Sequence, residues 1–174
     1  DELEKVRKEL KEILDKLKDV LEESRERTDR LLRKAEEDLR RSDEETERLV
    51  KELKDAGVSE EALRRLEELV KRHKEELKKL LEELRRLIEE ARDVHRRLLE
   101  RIDRLIKELE EMLRRGTDKD ELKKLVEDLD REVRKIVEEL KELNKRIEDE
   151  LRRIVDEARR SNEKVKELID RLRK

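Results

Sequence analysis

The apolar residues of this chain recur every 18 residues, and this period constrains the fold more than any other feature of the sequence. Eighteen residues make five turns of an α-helix, so residues 18 apart lie at the same angle around a straight helix. A 7-residue or 11-residue repeat would instead impose a supercoil. We therefore expect three long, straight helices whose cores include the series Ile13, Leu31 and Leu49; Leu14, Leu32 and Val50; Leu17, Ala35 and Leu53; Leu66, Leu84 and Ile102; and Ile136, Ile154 and Leu172.

The two glycines of the chain are both predicted to end a helix. Gly57 is suited to the left-handed conformation that ends the first helix, and Ser59, two residues later, is suited to the N-cap of the second helix. Gly116 precedes Thr117 and Asp118, either of which suits the cap of a third helix. Such short connections make consecutive helices antiparallel neighbours. The sequence thus predicts an all-α fold, a long antiparallel up-down-up three-helix bundle forming a single domain over residues 1–174, with helices over about 2–55, 60–115 and 118–173.

Each predicted helix has one apolar stripe, about 100–120° wide at 100° per residue. A stripe of this width suits a helix that touches two others around a common core. We expect a closed bundle in which no second apolar stripe is left on the outside for a further partner.

The composition is dominated by charge. Of the 174 residues 60% are charged, 32% are apolar, and none is Phe, Tyr, Trp, Pro or Cys. Such values are typical of disordered chains, but the periodic apolar residues predict a core instead. The 51 basic and 54 acidic residues are interleaved, and no apolar run approaches the roughly 18 residues of a membrane span. We expect a soluble protein that binds no nucleic acid and no membrane.

Nine positions that the 18-residue period assigns to apolar residues, here called apolar slots, are occupied by polar residues. We expect these nine polar residues to be buried. In antiparallel helices joined by short loops, two residues that lie side by side have residue numbers with a nearly constant sum. This sum is about 115 for the first and second helices and about 232 for the second and third. Helices one and three are then parallel, with an offset of about 117. This predicts one polar layer of Ser42, Thr46, His73, Ser161 and Asn162, and another of Ser24, Thr28 and Asn144 with His95 about a turn away.

These residues admit a functional interpretation and a structural one. A histidine beside a serine suits a base and a nucleophile, and a histidine with an asparagine suits a metal site. However, His73 and His95 lie about 33 Å apart on one helix. Val70 and Arg92 stand where a di-iron site needs glutamate, and no acidic residue is predicted in a core slot near either histidine to complete a triad. We expect no catalytic, cofactor-binding or metal-binding residue, and interpret the layers as satisfied hydrogen-bond networks.

Such networks specify the register of a bundle, because displacing a buried polar group leaves it without a partner. In this the chain resembles de novo designed helical bundles of the parametric, untwisted kind with buried hydrogen-bond networks. The resemblance covers the full length and rests on the 18-residue slots, the polar layers, and the loops Gly57-Val58-Ser59-Glu60-Glu61 and Gly116-Thr117-Asp118. It implies high stability and no natural substrate.

Two functions are compatible with these observations. The first is a monomeric structural scaffold that requires no partner and no cofactor. The alternative is a designed binding module, a component of a heteromeric helical bundle or cage that accepts a helix in trans. A natural spectrin-like spacer is disfavoured by the lack of aromatic residues. The sequence does not determine the handedness of the helix arrangement.

Overall fold

A computed structural model describes residues 2–116 and 118–173, with the side chain of Leu3 outside that description. The described residues form an all-α three-helix bundle without strands, as predicted, in which every pair of helices is in contact. No helix in this part of the chain has an apolar stretch that would span a bilayer. The helices are α1 (Glu2–Asp55), α2 (Glu60–Arg115) and α3 (Lys119–Arg173).

The loop between α1 and α2 has the predicted chemistry. Gly57 has a φ of 79°, in the left-handed region where glycine carries no steric penalty. The Ser59 hydroxyl accepts a hydrogen bond from the backbone N–H of Ala62 at 3.3 Å. Ser59 therefore caps α2 by satisfying one of the N–H groups that the first turn leaves unpaired.

The loop between α2 and α3 likewise combines a glycine with a positive φ and a side chain that caps the next helix. Gly116 has a φ of 76°, and Oδ1 of Asp118 accepts a hydrogen bond from the backbone N–H of Glu121 at 2.8 Å. Asp118 is thus a cap, which explains why α3 begins at Lys119, one residue later than predicted. Thr117, the other candidate cap, lies outside the described residues.

The helices divide into two compact units. The first unit comprises Asp1–Asp29 and Glu89–Arg146, and the second comprises Arg30–Ile88 and Ile147–Lys174. Segments of all three helices contribute to each unit. The aliphatic core of the first includes Leu14, Leu21, Leu98, Ile102, Leu109, Leu125, Leu129, Ile136 and Leu140, and that of the second includes Val50, Leu53, Leu66, Val165 and Ile169.

The 18-residue period describes burial well in α2. Leu66, Leu84 and Ile102 are all completely buried. In α3, Ile136 and Ile154 are completely buried as well, while Leu172 packs at the margin of the second unit's core.

In α1 the predicted core is partly wrong. Ile13 is 53% exposed and Leu31 44% exposed, although Leu49 of the same series packs against the core of the second unit. Consecutive residues differ by 100° around a helix, so Ile13 and Leu14 mark opposite edges of the α1 stripe. The helix is rotated so that the edge of Leu14 faces inward and that of Ile13 faces solvent.

This rotation leaves one edge of the apolar stripe of α1 on the outside of the helix, which the expectation of a closed bundle did not include. Val20 is 51% exposed, and it follows Ile13 by seven residues, nearly two full turns. The period shows which positions are equivalent around a helix. It does not show which edge of the stripe points toward the neighbouring helices.

The contacts between α1 and α2 join residues slightly different from those predicted. Lys18 pairs with Asp103 in the first unit and Lys54 with Glu67 in the second, both at 3.0 Å, so the residue numbers sum to about 121 and not about 115. Side chains on a helix lean toward its N-terminus. In antiparallel helices the side chains of the two helices therefore lean in opposite directions. Two side chains that touch belong to residues with higher numbers than the two residues whose Cα atoms lie at the same height in the bundle.

Candidate functional site

The nine polar residues predicted to be buried fall into two groups. Five are buried, namely Ser24, Thr28, Thr46, His73 and His95. The other four are only half-buried, contrary to expectation, namely Ser42, Asn144, Ser161 and Asn162. Asn144 and Asn162 share the slot of Val126, which is half-buried too. This slot lies at the edge of the α3 stripe, so its partial exposure follows from its angle on the helix.

His95 and Ser24 form a hydrogen-bonded pair between α2 and α1 in the first unit. The Ser24 hydroxyl lies 3.3 Å from Nε2 of His95, and Nδ1 of His95 lies 2.7 Å from the backbone carbonyl of Ala91. A carbonyl can only accept, so Nδ1 carries the proton in the neutral ring. Nε2 is then the acceptor, and Ser24 donates its hydrogen to it.

Thr28 and Asn144, predicted in the same layer, do not join this pair. Among the hydrogen bonds of the described residues, none involves either side chain. The predicted second layer is therefore reduced to Ser24 and His95, held by the carbonyl of Ala91.

His73 and Ser161 form the second pair, between α2 and α3 in the second unit. Nδ1 of His73 lies 2.5 Å from the Ser161 hydroxyl oxygen. His73 is 2% exposed, whereas Ser161 is half-buried. Nε2 of His73 is buried and makes no hydrogen bond to any described residue.

Thr46 and Asn162 connect α1 to α3 in the same unit. The Thr46 hydroxyl lies 3.2 Å from Oδ1 of Asn162 and 3.0 Å from the backbone carbonyl of Ser42. Both oxygens are acceptors, so the single hydrogen of the Thr46 hydroxyl is shared between the Ser42 carbonyl and Oδ1 of Asn162. Ser42 thus takes part through its backbone, and the predicted first layer contains two separate hydrogen-bonded groups.

Asp43 is a member of this site that the sequence-based reasoning missed. Its Oδ1 atom is buried without a hydrogen bond to the described residues, and its charge acts on His73. Asp43 does not occupy an apolar position of the 18-residue pattern, since Arg7 and Arg25 precede it at that period, so the expectation that no acidic residue stands in such a position near a histidine did not reveal it. Asp43 precedes Val50 by seven residues, which places it beside the Leu14 edge of α1. The rotation that exposes Ile13 turns this edge inward and carries Asp43 toward the core.

Burial lowers the pKa of both histidines from the ordinary value of 6.5, because desolvation disfavours the charged imidazolium. At His73 the negative charge of Asp43 opposes this lowering of the pKa. At His95 the hydrogen bond to Ala91 opposes it, while the positive charge of Arg25 lowers the pKa further. Both rings are neutral near pH 7 and can accept a proton.

His73 and Ser161 also line a surface cleft of about 500 Å³, which Leu69, Arg72, Glu76, Glu157, Arg160 and Lys164 complete. His95 and Ser24 are both almost fully buried. Within the described part of the chain, no group of three or more histidine or acidic side chains is placed to hold a metal ion.

Comparison of the chain with protein-family models, curated proteins and solved structures finds no significant match.

Proposed function

We propose that this protein is a structural helical scaffold of the de novo designed kind, with no natural substrate. Aliphatic side chains supply its stability, and buried hydrogen bonds between helices specify its register. In this proposal the chain acts as a monomer and needs neither a cofactor nor a partner.

The observation that carries this proposal is that three buried or half-buried polar contacts each join two different helices. Ser24 pairs with His95, His73 with Ser161, and Thr46 with Asn162. A shift of one helix by a turn, about 5.4 Å, would separate these partners and leave buried groups unpaired. Each such group costs about 1–3 kcal/mol. A purely aliphatic core would resist such a shift less, because leucine side chains can exchange neighbours.

The fully buried Ser24 and His95 pair provides the test. Replacing His95 by leucine should lower the free energy of unfolding by about 1–3 kcal/mol, because the Ser24 hydroxyl then has no partner across the interface. Combining His95→Leu with Ser24→Ala should recover most of this loss, because both polar groups are gone. Guanidinium unfolding followed by circular dichroism, on the parent, both single variants and the double variant, measures the coupling. Strictly additive changes would contradict a specifying role for the pair.

A second candidate function is a binding module that accepts a helix in trans. The exposed apolar side chains of α1 favour it, since Ile13 and Val20 lie on one face and are each about half exposed. An amphipathic helix with a matching apolar face would cover them, and a second copy of this chain presents such a face on its own α1.

Light scattering over a range of protein concentrations separates the scaffold from a module that binds a second copy of this chain. A scaffold keeps the mass of one chain, 21.4 kDa, at every concentration. Self-association through α1 would raise the mass with concentration, and the double change Ile13→Glu and Val20→Glu would restore the monomer. A mass that rises equally in the parent and this variant would rule out the α1 face as the contact.

A further inference from the structure

The second unit brings an acid, a histidine and a serine together from three different helices. Asp43 is on α1, His73 on α2 and Ser161 on α3. The serine hydroxyl lies 2.5 Å from Nδ1 of the imidazole. Nε2, the other ring nitrogen, is buried without a hydrogen bond to the described residues, and Oδ1 of Asp43 is buried without one as well.

The negative charge of Asp43 acts on the His73 ring. An N–H and a carboxylate oxygen are complementary, and each is costly to leave unpaired when buried. In the tautomer protonated at Nε2, the ring has an N–H of the kind that the Asp43 carboxylate accepts. Nδ1 is then a free acceptor, and the Ser161 hydroxyl donates to it. This is the arrangement of a nucleophile with its general base.

We propose that Ser161 is a nucleophile activated by His73, and that it takes acyl groups from small activated carboxylic esters that enter the cleft beside it. Asp43 is the positioning residue that orients the imidazole. This reactivity goes beyond the scaffold function, because a contact that specifies the register would also prepare a serine for acyl transfer.

The reaction forms one bond and breaks one at each step. Oγ of Ser161 attacks the ester carbonyl carbon, and its proton passes to Nδ1 of His73. The tetrahedral intermediate expels the leaving alkoxide, which takes that proton from the imidazolium, and the acyl group remains on Ser161. Water then attacks the acyl carbon with His73 again as base, which releases the carboxylic acid and restores the serine.

The cleft supplies the charges that this reaction needs. Arg72, Arg160 and Lys164 line it, and a cation stabilises the oxyanion of a tetrahedral intermediate. Backbone N–H groups cannot serve this purpose here, because Ser161 lies within α3, where they are used by the helix. Side chains alone provide the stabilisation, so we expect slow acylation compared with that of natural serine hydrolases.

The first unit contains a natural control for this proposal. Ser24 also donates to a neutral histidine, but Ser24 is 2% exposed and His95 is 1% exposed. An ester cannot reach Ser24 without unfolding of the unit. Ser161 and Ser24 therefore have similar hydrogen bonds and differ in access.

The test is acetylation of the folded protein by p-nitrophenyl acetate, with peptide mapping by mass spectrometry to locate each acetyl group. We expect acetyl-Ser161 and no acetyl-Ser24. His73→Gln should slow acetylation of Ser161 by about 10²-fold or more, and the matched change His95→Gln should leave it unaltered. Acetyl groups found only on lysines and the terminal amine, or equal rates in the parent and His73→Gln, would overturn the proposal.

The pH dependence of the acetylation rate of Ser161 distinguishes a role in the reaction from a defect in folding. The acetylation rate of Ser161 should rise with pH as His73 loses its proton and then reach a plateau. Asp43→Asn should shift this rise to lower pH, because the variant lacks the negative charge that favours the imidazolium. The other charged groups near the ring, Arg72 and Glu76 of α2 and Glu157, Arg160 and Lys164 of α3, are the same in both proteins. An unshifted profile would exclude Asp43 as the positioning residue, and a profile without a rise near the titration of a histidine would exclude His73 as the base.

Discussion

Replacing Leu84 by alanine is expected to lower the free energy of unfolding by about 2–5 kcal/mol. Leu84 is completely buried. Truncation removes the transfer free energy of its methyl groups and leaves a cavity that the surrounding helices fill only in part. Chemical denaturation with guanidinium, followed by the far-ultraviolet circular dichroism of the helices, measures the change.

The matched control is the same substitution at Leu31, also in the second unit. Leu31 belongs to a predicted core series but is 44% exposed. Leu31→Ala should change the stability by no more than about 0.5 kcal/mol, as is usual for surface positions. Equal losses for Leu31→Ala and Leu84→Ala would mean that α1 is not rotated as described, and that its whole stripe faces the core.

Lowering the pH from about 7.5 to about 5, across the ordinary histidine pKa, is expected to lower the guanidinium midpoint while the protein stays helical. Burial lowers the pKa of His73 and His95 in the folded protein. The unfolded chain therefore binds protons more readily below about pH 6.5. Stability is fully present above that pH and falls as the pH drops toward the folded pKa values.

Both histidines are expected to contribute to this loss. Burial lowers the pKa of each ring, and the negative charge of Asp43 opposes the lowering at His73. At His95 the hydrogen bond to Ala91 opposes it, while the smaller effect of the positive charge of Arg25 adds to it. His73→Leu and His95→Leu should therefore each remove part of the pH dependence.

Surface carboxylates also take up protons in this pH range, so the comparison needs a variant with leucine at both His73 and His95. This variant retains every surface carboxylate and lacks both imidazoles. Its midpoint should depend less on pH than that of the parent. If it loses as much stability on acidification as the parent does, the histidines are not the source of the effect.

The number, length and ends of the helices were predictable because each depends on local chemistry. Gly57 and Gly116 adopt positive φ values, and Ser59 and Asp118 accept hydrogen bonds from the first turns of α2 and α3. These features require only residues that are close in sequence. The aliphatic period in α2 and α3 likewise identified core residues, since one stripe on each helix must face its neighbours.

The candidate site was only partly predictable. The pattern indicated polar residues in apolar slots, and hydrogen bonds join Ser161 to His73 and Ser24 to His95. It also placed Thr28 and Asn144 in the layer of Ser24, and these two do not join the Ser24 and His95 pair, because a shared level in the bundle does not bring side chains within hydrogen-bond distance. Contacts also depend on the direction in which each side chain leaves its helix, which residue numbers alone do not contain.

The sequence by itself determined that this chain forms three amphipathic helices and which positions on each are equivalent, because helical geometry and capping are local properties. Only the tertiary structure decided how far α1 is rotated about its own axis. That rotation depends on how all the side chains of the neighbouring helices fill the shared core at close packing. It turns Ile13 and Leu31 toward solvent and brings a carboxylate oxygen of Asp43 into the interior, beside a histidine on another helix.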